Sequence, residues 1–106
     1  MRLDLAWWDL AGTGRVPGDL TAGLRPEEVA AWADVPGLAL KAWIADPVRE
    51  RWGAVMLWDP DRPAGRLLPP NRGAELAGGP PDERCGWRVV AAVPGPAGPP
   101  LLGPGS

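Results

Sequence analysis

Lys41 is the residue whose type and position most clearly suggest chemistry. It is the only lysine of the chain, and it lies in an alternating segment two residues after Ala39 and two before Trp43. Alternate residues of a strand share a face, so Lys41 is expected beside Trp43 on the uncovered sheet face that would line an interior cavity. Burial lowers the pKa of a lysine, which can then serve as a base or bind an anion. Lys41 is therefore the candidate catalytic residue. A surface lysine, or one paired structurally with a carboxylate, is the alternative.

A second candidate is the polar pair Asn71 and Arg72, which directly follows Pro69 and Pro70. An amide and a guanidinium can bind a phenolate or a carboxylate. At the open end of a pocket, the pair would contribute to substrate binding. The alternative is that residues 70–76 form a capped helical turn with no binding role.

Tryptophan supplies all the aromatic side chains, since the chain has seven Trp and neither Tyr nor Phe. Four of them and a methionine are expected on or near one uncovered sheet face, where they can line a flat apolar pocket for an aromatic ligand; they are Trp8, Trp43, Met56, Trp58 and Trp87. Trp7 and Trp32 are expected to pack between helix and sheet. A tightly filled Trp core is the alternative to the pocket.

The absence of His and the single Cys limit the possible reactions. They exclude His-ligated metal or haem, Ser–His and Cys–His triads, and Cys-cluster metal sites. Cys85 is expected to be a structural or incidental thiol. Asp4 and Arg88 are expected in neighbouring strands, where a salt bridge is at least as good an interpretation as catalysis. The sequence therefore predicts no metal and no cofactor.

Charge and hydropathy restrict the partners. The formal net charge is -2, whereas nucleic-acid binding needs a clustered basic surface. No apolar run approaches the ~18 residues of a membrane helix, and we expect no signal peptide. We expect a cytoplasmic domain that binds neither nucleic acid nor membrane.

The elements that must position these residues follow from periodicity. Period-two alternation predicts four strands, at residues 2–10, 38–45, 52–58 and 85–93. Pro26-Glu27-Glu28 predicts a helix start, and Pro36-Gly37 its end. A second, poorer helix is expected in residues 64–76, interrupted at Pro69-Pro70. The glycines and prolines of residues 12–18 are interpreted as turns.

The resulting order, strand–helix–strand–strand–helix–strand, is typical of an α+β, ferredoxin-like βαββαβ antiparallel sheet. Residues 1–93 would form this single domain, and residues 94–106 a Gly/Pro-rich C-terminal tail. Helices would cover only one face of the sheet. The Trp-bearing uncovered face predicts a partner, most simply a second copy in a homodimeric barrel.

Residues 36–59, PGLALKAWIADPVRERWGAVMLWD, resemble the YdhR-type mono-oxygenase family of the dimeric α+β barrel superfamily. The shared features are a PGL–x–x–K–x–W core, an Asp-Pro turn, a Gly that opens the next strand, and a closing aliphatic–aromatic–acid triplet. They fall on Pro36, Gly37, Leu38, Lys41, Trp43, Pro47, Gly53, Leu57, Trp58 and Asp59. The Pro69-Pro70 interruption departs from the continuous helix of that family.

The resemblance implies a class of reaction. Related antibiotic-biosynthesis mono-oxygenases oxidise aromatic polyketides without metal or flavin. The superfamily also includes cyclases and haem-degrading enzymes, and the haem-degrading enzymes rely on a His that this chain lacks. We therefore expect a cofactor-independent mono-oxygenase, or a related cyclase or isomerase, that acts on an aromatic or polyketide-like small molecule in secondary metabolism. The alternative is a non-catalytic homodimer of the same fold that binds a small molecule or is purely structural.

Overall fold

Four strands and several short helices make up the α+β domain. The structure, a computed structural model, describes residues 1–61 and 68–97. In chain order the elements are β1 (Arg2–Asp9), α1 (Pro17–Ala22), α2 (Pro26–Ala30), a 3₁₀ helix (Ala31–Asp34), β2 (Leu38–Asp46), β3 (Arg51–Trp58), α3 (Gly73–Ala77) and β4 (Glu83–Arg88).

The strands form one sheet in the order β2–β3–β1–β4, and every neighbouring pair is antiparallel. Directly paired residues share a face, so the register assigns side chains to faces. Lys41 pairs with Met56, which in turn pairs with Asp4. A register shift between Leu38 and Leu40 marks a β-bulge at the start of β2, which places Leu38 and Lys41 on the same face.

The helices lie against one face, here called the covered face. Its hydrophobic core consists of two strand tryptophans and small or aliphatic residues from the helical side; they are Trp8, Leu10, Leu20, Trp52 and Ala77. The rings of Trp8 and Trp52 are 5.9 Å apart between centroids and tilted by 45°. Their indole N–H groups donate to Gly79 O and Thr21 Oγ1 at 2.9 and 3.2 Å. The core is therefore apolar without leaving these two donors unpaired.

The opposite face, here called the open face, carries no helix among the described elements. Leu40, Ile44 and Trp87 project from it and are 45%, 40% and 65% exposed. The register adds further apolar residues to this face, namely Leu3, Leu5, Trp7, Ala42, Val55, Leu57 and Cys85. A contiguous apolar surface of this kind is uncommon on a monomer.

The predicted faces need a correction. Alternation correctly grouped Lys41 with Trp43 and separated Trp7 from Trp8. However, Lys41 and four of the five residues expected on the uncovered face lie on the covered face; the four are Trp8, Trp43, Met56 and Trp58. Trp87 alone of the five lies on the open face, and so does Trp7, which was expected under a helix. Both faces are apolar, so their composition did not show which one the helices would choose.

The element boundaries differ most from prediction at two places. The Gly- and Pro-rich segment expected to be a turn contains α1, which begins at Pro17. There Pro suits the first helical position, and Asp19 accepts from the Val16 N–H. Strand β4 ends at Arg88, five residues before its predicted end. The predicted helix start at residue 64 and residues 98–106 of the tail lie outside the described residues.

Candidate functional site

The Lys41 side chain lies on the covered face beneath two tryptophans. Its Nζ is 3.3 Å from the centroid of the Trp32 ring and 5.0 Å from that of Trp43. The Nζ atom is buried, and it has no hydrogen-bond partner in residues 1–61 and 68–97. A buried amine normally has one, because an unpaired polar group costs free energy. Lys41 is thus held by ring faces and carries an uncommitted amine.

Burial lowers the pKa of Lys41 to about 8, because the desolvated ammonium is less stable than the neutral amine. A nearby carboxylate would oppose this change. Asp4, two strands away on the same face, instead pairs with Arg2 at 2.7 Å. The amine is therefore poised close to neutral pH, within the range useful for proton transfer.

Trp32 reaches Lys41 from the 3₁₀ helix that continues α2. Pro26 occupies the first turn of α2, and Glu27 and Glu28 supply negative charge at its N-terminal end. Trp32 is 5% exposed, so its ring is packed between this helical segment and the sheet. The predicted helix–sheet packing of Trp32 is confirmed, and its ring also covers the amine.

An ion-pair network lies beside the lysine. Arg72 Nη1 donates to both carboxylate oxygens of Glu28, at 2.9 and 2.7 Å, and Arg72 Nε is 2.9 Å from Glu75 Oε2. The hydrogen bond with Arg72 lowers the pKa of Glu28 and raises that of Arg72. Both side chains are about one-fifth exposed. The Arg72 charge is therefore already balanced by carboxylates, whereas that of Lys41 is not.

Asn71 stands where the chain enters α3. Its Oδ1 accepts the Gly73 N–H at 3.2 Å, as in an Asx turn. Helix α3 ends at Ala77 and is capped by Gly78 in the left-handed conformation. At Gly73 a Cβ would come within 2.5 Å of Trp8 Cη2. Close packing on Trp8 therefore fixes where α3 begins, and it holds Asn71 and Arg72 next to the lysine. The alternative of a capped helical turn fits this geometry as well.

A small cavity joins these groups. Its volume is about 10 Å³, room for about one water molecule. It is lined by Leu24, Glu28, Trp32, Lys41, Trp43, Pro70, Asn71 and Arg72. The structure therefore brings together the predicted pair of Lys41 and Trp43 and the predicted pair of Asn71 and Arg72. The remaining members of the predicted binding set lie elsewhere, and they are Trp8, Met56, Trp58 and Trp87.

Each of those four has a different environment. Trp8 and Trp58 are 6% and 4% exposed and belong to the packed covered face. Met56 pairs with Lys41 across β2 and β3 on that face, without lining the cavity. Trp87 lies on the open face. None of them contributes a wall to the Lys41 cavity.

Glu28 and the covering role of Trp32 were not foreseen. The useful signal was helical spacing, since residues four apart lie on the same side of a helix. Because Trp32 was expected to face the sheet, the same spacing predicts that Glu28, four residues earlier, faces the sheet as well. Its partner Arg72 is 44 residues further along the chain, and sequence spacing alone does not reveal such a pair.

Other groups considered for chemistry do not join the site. Asp4 accepts a hydrogen bond from Arg2, which is also in β1. The Asp4–Arg88 salt bridge considered from the sequence is therefore replaced by an Asp4–Arg2 pair. Cys85 is a half-buried free thiol on the open face. In residues 1–61 and 68–97, no cluster of three or more His, Cys, Asp or Glu side chains is arranged to hold a metal ion. Within the same ranges, no helix has the length and hydropathy needed to cross a membrane.

A second cavity lies at one end of the open face and has a volume of about 190 Å³. Leu5, Trp7 and Ile44 form much of its apolar wall. The Arg51 guanidinium stacks 4.4 Å from the centroid of the Trp7 ring. This cavity opens on the surface expected to pair with a second copy, and it is separate from Lys41.

Comparison with known proteins adds no relative to this geometry. No protein-family model matches the chain, and no curated protein matches it.

Proposed function

We propose that the domain is a cofactor-independent tailoring enzyme, of the mono-oxygenase type or a related cyclase or isomerase, acting on an aromatic or polyketide-like small molecule. The observation that carries this proposal is the buried Lys41 amine between Trp32 and Trp43, which has no hydrogen-bond partner among the residues that the structure describes. The substrate is a carbon acid or a phenol, because such a molecule offers a proton to the amine and a ring to the indoles. The resemblance of residues 36–59 to the YdhR-type family supports the same class.

In this mechanism Lys41 is the base. The neutral amine, about a tenth of the population at pH 7 for a pKa of about 8, removes a proton from an activated CH₂ group. The resulting ammonium stabilises the enolate oxygen, in a site where low polarity strengthens the attraction. Dioxygen, the co-substrate, accepts the carbanion's electrons to form a hydroperoxide. Loss of water then leaves a ketone, so that CH₂ and O₂ become C=O and H₂O.

The neighbouring arginine has a separate role. Arg72 forms ion pairs with Glu28 and Glu75. Among the described residues of the cavity, Lys41 is therefore the cation that is left to bind an enolate. Asn71, beside the mouth, offers an amide to a substrate hydroxyl or carbonyl. Arg72 therefore acts in this proposal by holding α2 against the start of α3.

The proposed assembly is a ferredoxin-like homodimer closed through the open face. The strand order β2–β3–β1–β4 and the intervening helices support the ferredoxin-like topology. The exposed Leu40, Ile44 and Trp87 support the dimer, since their burial is worth ~25 cal/mol per Å² of apolar area. A two-fold partner would present the same apolar surface in return.

A second candidate function is non-catalytic binding by the same homodimer. The observation in its favour is the size of the Lys41 cavity, about 10 Å³, whereas pockets for drug-sized ligands usually exceed about 300 Å³. In this interpretation the indoles fill the site and Lys41 stabilises the packing through cation–π contacts.

Oxygen uptake with an anthrone as substrate separates the two functions. The proposal expects enzyme-dependent uptake that falls at least tenfold in Lys41→Met, which keeps the apolar stem and removes the amine. Arg49→Met, on the exposed β2–β3 turn, is the matched control and should retain wild-type uptake. Tryptophan fluorescence quenching by the anthrone without oxygen uptake would support the binding function and contradict the enzyme.

A further inference from the structure

We propose that Trp87 of one copy of the chain inserts its indole into the open-face cavity of a second copy, and that the reciprocal contact closes the homodimer. This inference rests on the homodimer of the proposed function and not on the chemistry of Lys41. Its basis is that the open face carries both an exposed ring and a cavity able to receive it. Trp87 is 65% exposed, and the cavity beside Trp7 has a volume of about 190 Å³.

The cavity exists because a glycine lies in the middle of its floor. Gly53 pairs with Trp7 on one side and with Ile44 on the other. The side chains of these two residues therefore flank a position that has no side chain. A Cβ at Gly53 would come within 2.8 Å of Trp7 Cβ, so the close approach of β1 and β3 excludes a larger residue here. The gap between Trp7 and Ile44 is thus a fixed feature of the sheet.

The lining of the cavity suits an indole. Leu5, Trp7 and Ile44 provide apolar walls. The Arg51 guanidinium lies 4.4 Å from the centroid of the Trp7 ring, and its buried Nε has no hydrogen-bond partner among the residues that the structure describes. An inserted ring gains a cation–π contact with this group. Asp46 also lines the cavity and offers a carboxylate oxygen to the indole N–H. The volume of about 190 Å³ is roughly twelve times the ~15 Å³ that admits one water molecule.

The ring and the cavity of one chain are too far apart to meet. Trp87 lies on β4 opposite Leu3, whereas Gly53 lies on β3 opposite Trp7. Leu3 and Trp7 are separated by ~14 Å along β1, and β3 and β4 are separated by ~10 Å across the sheet. The ring and the cavity therefore occupy opposite corners of the open face, and a Trp87 that fills the cavity belongs to a second molecule.

A single two-fold axis makes both contacts at once. The axis lies between the two open faces, perpendicular to the line that joins Trp87 to the cavity, and it brings each Trp87 over the cavity of the other copy. Because the contacts are reciprocal, the assembly closes at two copies instead of growing into a filament. Tryptophans buried in a pocket of the partner are among the residues that contribute most to the stability of an interface. The cavity of each copy is therefore completed by the other copy.

Two variants of the full-length protein each remove one half of the contact. Trp87→Ala removes the ring and leaves the cavity, whereas Ile44→Trp fills the cavity and leaves Trp87. In sedimentation equilibrium, each should dimerise at least about a hundredfold more weakly than the wild type. Val48 is 92% exposed and lies outside the cavity. Val48→Trp is therefore the matched control, which adds a tryptophan without filling the cavity and should dimerise like the wild type.

Mixing Trp87→Ala with Ile44→Trp restores one of the two contacts, because Trp87 of the second variant meets the intact cavity of the first. Native mass spectrometry should therefore detect more mixed dimers than random pairing gives. Mixed dimers at or below that share, or Trp87→Ala dimers as tight as the wild type, would show that the cavity has another occupant and would overturn the proposal while the homodimer stands. A monomeric wild type would overturn both, and oxygen uptake with an anthrone reports on Lys41 separately.

The wild-type protein provides a second measurement that does not depend on the folding of Ile44→Trp. In protein labelled with fluorotryptophan, the ¹⁹F NMR signal of Trp87 is assigned by its absence from Trp87→Ala and Trp87→Phe, and that of Trp7 by its absence from Trp7→Phe. Dilution from dimer to monomer should shift the signals of Trp87 and Trp7 together. A Trp87 signal that stays unchanged while the dimer dissociates would contradict the proposed contact.

Discussion

The two faces of the sheet have similar composition and very different surroundings. On the covered face, Trp8 and Trp52 are nearly inaccessible, and each donates its indole N–H to a partner in the helical layer. On the open face, Trp87 is 65% exposed and Leu40 and Ile44 are about two-fifths exposed. The covered face also contains the one lysine of the chain. Apolar character therefore does not decide which face becomes the core; the attachment points of the helices do.

The largest expected difference in stability between the two faces comes from removing a tryptophan from the covered face. Trp52 is 1% exposed, and Trp52→Ala should cost about 3–5 kcal/mol of the free energy of unfolding because it leaves a large cavity. Trp87→Ala on the open face is the matched control. At a protein concentration where the chain is monomeric, it should change the free energy by less than about 1 kcal/mol. Urea unfolding of the two variants gives the difference directly, and equal losses would contradict the assignment of the faces.

The next effect concerns association through the open face. Ile44→Asp places a charge within the apolar surface and should weaken the proposed homodimer at least a hundredfold, about 3 kcal/mol. Val48, on the β2–β3 turn, is 92% exposed, so Val48→Asp is the control and should leave association unchanged. Sedimentation equilibrium measures both. A wild-type protein that stays monomeric at micromolar concentration would refute the dimer.

A smaller effect is expected at the edge of the covered face. Arg72→Met removes the pair with Glu28 and the more exposed pair with Glu75, and it should lower the stability of the domain measurably. Arg49→Met breaks a looser, exposed pair with Asp46 at 3.9 Å and should cost less than about 0.5 kcal/mol. If thermal or urea unfolding gives the same loss for both, Arg72 does not hold α2 against the start of α3.

The smallest effect is a gain in stability at the turn between β2 and β3. Glu50 has φ = 55°, in the left-handed region that favours glycine. Its backbone O also accepts the Leu10 N–H at 2.8 Å, which holds this conformation in place. Glu50→Gly should stabilise the domain by up to about 1 kcal/mol through relief of strain, partly offset by the greater entropy of the unfolded chain. A loss in urea unfolding would contradict this account.

The strands and their partitioning into faces were predictable, because period-two alternation determines which side chains lie together. Lys41 and Trp43 illustrate this, since they share a face as predicted. Helix α1 was not predicted, because Pro17 and Gly18 are common in turns as well as in a first helical turn. The choice of covered face was also not predictable from alternation. It depends on contacts such as that of Trp32 with Lys41, formed between elements that the pattern treats separately.

The candidate site was predictable only in part. Lys41, Arg72 and Asn71 were identified by residue type and local context, and the cavity brings them together. The Glu28–Arg72 pair was not found, because its partners are 44 residues apart and many other carboxylates in the chain were equally eligible. Long-range pairing of charged side chains thus required the three-dimensional structure.

The ionisation of Lys41 also predicts a change of stability with pH. The folded-state pKa of about 8 lies below the ordinary value of 10.5, so between these values the unfolded chain binds the additional proton. Stability therefore rises with pH from about 8 to 10.5; when the pH is lowered, this gain is lost between 10.5 and about 8, and the contribution is constant below about 8. Lys41→Met should lack this rise, and urea unfolding at pH 7.5 and pH 9.5 measures it.

The central claim, that Lys41 carries a desolvated and uncommitted amine, is tested most directly by titrating that amine. Lysine labelled with ¹³C at Cε gives a single side-chain signal, because the chain contains one lysine. Its chemical shift is followed by NMR from pH 6 to pH 11. The account predicts a midpoint close to 8, and a midpoint close to 10.5 would show a solvated or carboxylate-paired lysine and contradict the proposed site.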